Sequence, residues 1–114
     1  MLYYLGMDKF SALADPTRRQ IIELLAGRGE LSATEISDQF QMTAPAISQH
    51  LKILREAQLV RMEKRGQQRI YQLNPDTLSE FEVWVQKLAA RMEDRFARLD
   101  IILEAEKKKG KGKK

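Results

Sequence analysis

The apolar residues within Ile21–Leu25 are spaced so that they form a broad apolar face on one side of a helix. It follows Asp15, which can cap a helix, and Pro16, which fits a first turn because its missing N–H would be unpaired there anyway. Gly27 and Gly29 supply a stop signal. The pattern predicts a helix that begins at Pro16 and ends near these glycines.

Two shorter helices are predicted next. Ser32–Glu35 has the capping-box pattern and opens a helix that carries Ile36. Thr43 can cap a second helix, whose Pro45 is tolerated because it lies in the first turn. The apolar stripe of this second helix consists of Ile47, Leu51 and Leu54. We expect a tight turn of about three residues, which includes Gln41–Met42, between the two helices.

After Leu59 the apolar period changes from helical to roughly alternating, which is typical of strands. One run begins at Val60 and a second spans Ile70–Leu73. Between them lies the basic, polar segment Lys64–Arg69, whose Gly66 permits the positive φ of a tight turn. The pattern predicts a β-hairpin with a basic tip.

The last third of the chain has the pattern of a long helix. Asn74 and Pro75 repeat the cap-and-proline start, and no glycine or proline follows up to Glu106, so we expect one helix or two. Its apolar residues fall mainly at alternating steps of three and four, typical of a seam against a partner helix. They are Leu78, Phe81, Val85, Leu88, Met92 and Leu99, and Phe96 widens the stripe. Residues 107–114 contain only lysine and glycine, which predicts a disordered tail after one domain formed by residues 1–106.

Positive charge is concentrated in the middle of the chain. The 114 residues carry a net +4, but the six lysines of residues 107–114 supply +6, so residues 1–106 carry −2. Residues 41–73 carry +4. A basic segment that coincides with two short helices and a hairpin favours contact with nucleic-acid phosphates.

Composition gives little support to metal, thiol or enzyme chemistry. The chain has no cysteine and a single histidine, His50, so we expect no metal site, no cofactor and no catalytic residues. No apolar run is long enough to span a bilayer, and the start of the chain lacks a signal-peptide pattern. We therefore expect a cytoplasmic, nucleoid-associated protein without a membrane partner.

Helix, turn, helix and basic hairpin, in that order, predict a mainly α fold with a small β-hairpin, the winged helix-turn-helix. The second short helix could enter the major groove of duplex DNA because its stripe leaves the polar side free. Candidate DNA contacts on this helix are Thr43, Ala44, Pro45, Ser48, Gln49 and Lys52. Candidate contacts on the hairpin, or wing, are Lys64, Arg65, Gln67, Gln68 and Arg69. We assign base contact to Ser48 and Gln49, and phosphate or minor-groove contact to the cations.

The chain resembles the ArsR/SmtB family of winged-helix transcriptional regulators over Phe10–Leu73. The resemblance is carried by Phe10–Arg19, by Ala44–Ala57 and by Arg65–Tyr71. It implies a DNA-binding homodimer in which the first and last helices of each protomer pack together, most often a repressor that a signal releases. We expect an inverted-repeat operator. The interface implied for the homodimer comprises Tyr3, Phe10, Leu78, Phe81, Val85, Leu88, Met92, Phe96 and Leu99.

The sensing sites of that family are not matched in this sequence. Its thiolate sensors carry a Cys-x-Cys pair where this chain has Ser32 and Thr34, and two hydroxyls cannot replace two thiolates. Its sensors on the last helix use histidines with carboxylates, whereas this helix has Asp94, Asp100 and Glu104 without a histidine. The resemblance is closer to the metal-independent branch, which includes autorepressors, and it leaves the inducer unknown.

Some features keep two interpretations. His50 could bind a ligand or contact DNA. The interpretation that we favour is that it packs at the edge of the apolar stripe of the second short helix. Arg18 and Arg19 contact phosphates or pair with Asp15 or Glu23. The apolar stripe of the last helix is a membrane-surface face or, as its mixed charges favour, a seam with a partner helix. For the whole chain, the alternative to DNA binding is a winged-helix module that binds protein.

Overall fold

The computed structural model describes the backbone of residues 8–112 and the side chains of residues 8–106. Its helices and strands confirm a mainly helical fold with a small antiparallel sheet. The elements in chain order are α1 (Lys9–Ala12), α2 (Pro16–Arg28), β1 (Glu30–Ser32), α3 (Ala33–Ser37), α4 (Ala44–Glu56), β2 (Val60–Arg65), β3 (Gln68–Leu73) and α5 (Pro75–Gly112).

Local signals fix both ends of α2. The Asp15 carboxylate accepts hydrogen bonds from the backbone N–H groups of Thr17 at 2.8 Å and Arg18 at 3.2 Å. Burial alone would raise the pKa of Asp15, but these donors outweigh it and lower the pKa below its ordinary value. The helix passes through Gly27 and ends at Arg28, and Gly29, with a φ of 89°, is its C-cap. The predicted start is confirmed, and the stop is the second of the two glycines.

The hairpin is confirmed, and a third strand joins it. The strand order is β1-β3-β2, and both pairings are antiparallel. Only the two strands of the hairpin were predicted, since the three residues Glu30–Ser32 are too few to show alternation. β1 exists through its pairing with β3, where Leu31 lies opposite Tyr71. This contact joins residues that are forty positions apart in the sequence.

The core lies between the first four helices and the sheet. The predicted stripe of α4 is buried there, and the segment between α3 and α4 is longer than predicted. After Ser37 the backbone hydrogen bonds join residues three positions apart instead of four, as in the bond from Phe40 N–H to Ser37 C=O. Helix α3 therefore ends early, and Asp38–Thr43 forms the connection. The largest fully buried side chains are Ile21, Leu25, Ile36, Ile47, Leu51, Leu54 and Leu59.

The chain divides into two compact units, one formed by residues up to Leu78 and the other from Ser79 onward. The division falls within residues 1–106, which we had assigned to one domain. α5 is one helix and not two, and it continues past Glu106 to Gly112, into the segment predicted to be disordered. Lysine is a good helix former, and an isolated glycine weakens a helix by only about 1 kcal/mol. Within the described residues we find no helix with the length and apolarity needed to cross a membrane.

The end of α4 is closed by a residue with left-handed backbone geometry. Gln58 has a φ of 63°. Its N–H donates to Arg55 C=O and the N–H of Leu59 donates to Leu54 C=O, each at 3.0 Å, which is the Schellman pattern. The Gln58 carbonyl accepts bonds from the side chains of Asn74 and Thr77. A side chain at this position therefore carries a conformational cost, although the backbone bonds around it are satisfied.

We expect Gln58→Gly to raise the free energy of unfolding by about 1 kcal/mol, because glycine adopts positive φ without the Cβ penalty. The Gln58 side chain is exposed, so its removal takes away no packing. Chemical denaturation at equal protein concentration measures the change. The control is Gln72→Gly in β3, the central strand of the sheet, which should lose stability. A loss at Gln58 as large as that at Gln72 would contradict the role assigned to the positive φ.

Candidate nucleic-acid interface

Helix α4 presents one polar face. The N–H of Ala46 donates to the Thr43 hydroxyl at 3.3 Å, which caps the helix as predicted. The apolar stripe is buried, whereas Ser48, Gln49 and Lys52 are exposed. Burial of one side thus holds the opposite side toward solvent, where it is available to a ligand.

The capping box at the start of α3 is present. The N–H of Glu35 donates to the Ser32 hydroxyl at 3.1 Å, and the N–H of Ser32 donates to the Glu35 carboxylate at 2.9 Å. This backbone bond, helped by the Ser32 hydroxyl, lowers the pKa of Glu35. Ser32 is buried, and its hydroxyl is used by the helix cap. The box fixes the first helix of the helix-turn-helix.

The wing turns at Gly66, which has a φ of 63° as the tight turn requires. Lys64 lies directly opposite Arg69 in the register of β2 and β3. Residues that face each other across an antiparallel pair share one face of the sheet. Arg69 is two residues from Tyr71, so Lys64, Arg69 and Tyr71 lie on the same face.

A cleft of about 450 Å³ joins α4 to the wing. Its lining contains three cations, Lys52, Arg55 and Arg69, and no carboxylate. None of these cations pairs with another described side chain. The cleft is therefore a concave, positively charged surface. Its lining residues are Ala33, Pro45, Ser48, Gln49, Lys52, Arg55, Arg69 and Tyr71.

The structure brings together four of the six predicted α4 residues and one of the five predicted wing residues in this cleft. Thr43 and Ala44 are exposed at the start of α4, and Lys64, Gln67 and Gln68 are exposed on the wing, but none of these five lines it.

Arg55 is a cleft residue that the sequence analysis missed. The signal was available, because Arg55 lies three residues after Lys52 and hence on the same side of a helix.

Arg65, grouped with the DNA-contacting cations in the sequence analysis, has other partners in the structure. Its guanidinium donates to both oxygens of Glu30, at 3.3 and 2.7 Å, and to Glu63 at 3.0 Å. The hydrogen bond to Glu30, followed by that to Glu63, raises the pKa of Arg65 above its ordinary value. Arg65 precedes the turn by one residue, and strand alternation places it on the opposite face from Lys64.

The side chains of Arg18 and Arg19 bond to backbone carbonyls and not to the carboxylates of Asp15 or Glu23, and their contact with phosphates stays a prediction. Arg18 Nε donates to Ala12 C=O at 2.6 Å, and Arg19 Nη1 donates to Leu13 C=O at 2.7 Å. Arg18 thus binds the backbone at the end of α1, and Arg19 binds the turn that follows it. His50 is half-buried, with its Nδ1 3.3 Å from Arg18 Nη1, which agrees with the packing role that we favoured.

Five of the seven predicted interface residues on α5 form an exposed apolar row, which consists of Val85, Leu88, Met92, Phe96 and Leu99. Met92 and Phe96 are 56% and 54% exposed. Leu78 and Phe81 are half-buried, and Phe10 of α1 is exposed. Tyr3 lies outside the described residues. The exposed large apolar side chains of α5 are Val83, Trp84, Val85, Leu88, Met92, Phe96, Leu99, Ile101, Ile102 and Leu103.

Metal-binding side chains are not clustered in the part of the chain that the structure describes. No group of three or more histidine, cysteine, aspartate or glutamate side chains there could hold a metal ion.

Two helices joined by a short segment, followed by a two-stranded wing that shares a basic cleft with the second helix, define a winged helix-turn-helix. A family profile described as "Bacterial regulatory protein, arsR family" matches residues 15–62. The chain is also 40% identical over 76 residues to the transcriptional repressor SdpR of Bacillus subtilis, covering 67% of this chain and 83% of that protein. The chain belongs to the arsR family of bacterial transcriptional regulators, and its relatives are named as regulators and not as enzymes.

Solved structures agree with this assignment. An ArsR-like transcriptional regulator from Rhodococcus superposes with a TM-score of 0.71 at 29% identity, over 82% of this chain and 87% of that one. A domain from Mycobacterium bovis, described as a homodimeric winged helix-turn-helix DNA-binding domain, superposes with a TM-score of 0.56 at 29% identity, over 68% of this chain and 71% of that one.

We expect Arg18→Ala to lower the free energy of unfolding by about 1.5 kcal/mol, because it removes charge-assisted hydrogen bonds to the end of α1. Chemical denaturation measures the change. Arg55→Ala is the matched control: it removes the same charge from an exposed position without a described partner, and should change stability by less than about 0.5 kcal/mol. Equal changes in the free energy of unfolding for the two substitutions would contradict the structural role of Arg18.

Proposed function

We propose that this regulator binds duplex DNA as a homodimer and represses transcription from an inverted-repeat operator. The observation that carries the proposal is the cleft in which the exposed face of α4 meets Arg69 of the wing. Three cations there, Lys52, Arg55 and Arg69, are free of described carboxylates, so phosphate binding requires no ion pair to be broken.

Base contact is assigned to Ser48 and Gln49. Both are exposed on α4, and a glutamine side chain can bond bidentately to the N6 and N7 edge of adenine in the major groove. Phosphate contact is assigned to Lys52, Arg55 and Arg69, together with Lys64 opposite Arg69. Pro45 also lines the cleft. The remaining candidates lie outside its lining; they are Thr43 and Ala44 at the start of α4, and Gln67 and Gln68 at the wing turn.

The homodimer is proposed to form through the apolar row of α5, together with the first helix, where Phe10 is exposed. A row of large apolar side chains this exposed is unusual on a monomer and marks an interaction surface. The homodimeric state described for the Mycobacterium bovis domain supports a homodimer, and the choice of α5 and the first helix rests on their exposed apolar side chains. A two-fold dimer would place half-sites about 10 bp apart, or a multiple of that.

We place the protein in the metal-independent part of its family and propose that it acts as a repressor. The hydroxyl of Ser32 replaces a thiolate and is already bonded within the α3 cap, and Thr34 adds only a second hydroxyl. Repression is supported by the name of SdpR, a transcriptional repressor.

Gln49→Ala should weaken binding to the operator by about 1 to 3 kcal/mol with little change on random DNA, because it removes a base contact. Arg69→Ala should weaken binding to both and flatten the dependence of log K on log salt by about 0.9 for each phosphate that the variant no longer neutralises. The probe is the DNA upstream of the protein's own reading frame, in a fluorescence anisotropy titration at several salt concentrations.

Two controls separate the cleft from general positive charge. Arg28→Ala removes one cation outside the cleft and should leave the slope unchanged. A chain that ends at Glu106 removes the six lysines and should keep its preference for the operator. If the full chain shows no preference for its upstream DNA and Gln49→Ala changes nothing, the protein-binding alternative is favoured instead.

A double substitution, Leu88→Glu with Met92→Glu, should convert the dimer to a monomer by placing charges in the apolar row. Sedimentation velocity at micromolar concentration measures the change. Gln86→Glu with Ala90→Glu has the same spacing on the other side of the helix and should remain dimeric. A native protein that sediments as a monomer at that concentration would overturn the dimer.

A further inference from the structure

The four cations of the wing hairpin are sorted by face. Lys64 and Arg69 share the face that meets α4, and neither pairs with a described side chain. Arg61 and Arg65 occupy the alternate positions of β2, and both are paired. Arg61 bonds to Asp76 at 3.0 Å, and Arg65 bonds to Glu30 and Glu63. The cations of the two faces therefore differ in how readily they can bind a phosphate group.

The partners of Arg65 lie on two strands. Glu63 is on β2, the strand of Arg65 itself, whereas Glu30 is the first residue of β1. The bond to Glu30 uses two guanidinium nitrogens on two carboxylate oxygens, at 3.3 and 2.7 Å. This fork geometry is specific to arginine, because lysine offers a single point charge. The contact ties the tip of the wing across the sheet to its far strand.

Glu30 stands at an informative place in the chain. It follows Gly29, the cap of α2, and two residues later Ser32 caps α3. β1 thus runs directly into the first helix of the helix-turn-helix. A bond from the wing to Glu30 connects the wing to the segment that positions the two helices.

We propose that Arg65 is a positioning residue that braces the wing against β1 through Glu30 and Glu63, and that DNA contact on the wing is left to Lys64 and Arg69. The DNA part of this statement rests on the proposed function. A phosphate would have to displace two carboxylates to reach Arg65, whereas Lys64 and Arg69 are already free of such partners.

The expected effects are modest because the network is exposed: the side chains of Arg65, Glu30 and Glu63 are 50%, 42% and 58% accessible. A single exposed ion pair contributes little to the free energy of unfolding. A bidentate pair within a three-charge network contributes more than an isolated exposed pair. We expect removal of the brace to speed amide hydrogen exchange in β1 and β3 by about two- to fivefold.

The first arm of the test needs no DNA. Residue-resolved hydrogen exchange is measured by NMR on the full chain and on Arg65→Ala, Arg65→Lys and Glu30→Gln. All three variants should show the faster exchange, since lysine keeps the charge but not the fork. Lys64→Ala, the neighbouring cation on the other face, should exchange like the native chain. Native exchange in Arg65→Ala, or full rescue by Arg65→Lys, would overturn the brace.

The second arm uses the upstream DNA probe. Arg65→Ala and Arg65→Lys should keep the native slope of log K against log salt, while Arg69→Ala flattens it. A slope in Arg65→Ala reduced as much as in Arg69→Ala would make Arg65 a phosphate contact and overturn the division of roles. If the native chain binds no DNA, the proposed function fails, and the exchange arm still decides whether Arg65 braces the wing.

Discussion

Burial of one side of α4 is the interaction on which the rest of the structure depends. Ile47, Leu51 and Leu54 are almost fully buried, and α4 contacts α2, α3 and β2. Because the positions around a helix are set by its period of 3.6 residues, burial of this stripe fixes which residues face outward. The polar face with Ser48 and Gln49 is thus a consequence of core packing.

Electrostatics then divides the surface around α4. Without the six lysines of residues 107–114 the chain is not basic as a whole, since residues 1–106 carry a net −2. What makes the cleft positive is the pairing pattern: acidic residues neutralise Arg61 and Arg65 on one face of the hairpin, while Arg69 remains available on the other. Long-range attraction of a polyanion depends on this local concentration of unpaired charge more than on the net value.

The unit from Ser79 onward has a different physical character. Its helix exposes large apolar side chains along much of its length, including Val85, Leu88 and Leu99. An isolated helix with such a surface gains little stability from its own side chains, and helices in proteins are stabilised mainly by packing an apolar face. In the proposed homodimer this apolar surface would be covered by the partner, and the two-fold symmetry of that dimer would match the proposed inverted repeat.

The sequence by itself determined the features with local causes. Capping residues Asp15, Ser32 and Thr43 set helix starts, Gly66 set the wing turn, and apolar periodicity set the buried side of α4, because each acts within a few residues. Tertiary structure decided the rest. β1 exists only because it pairs with β3, and Arg18 and Arg65 found partners that residue type alone did not indicate. A long, flexible cation can reach many acceptors, so its actual partner follows from how distant segments are folded together.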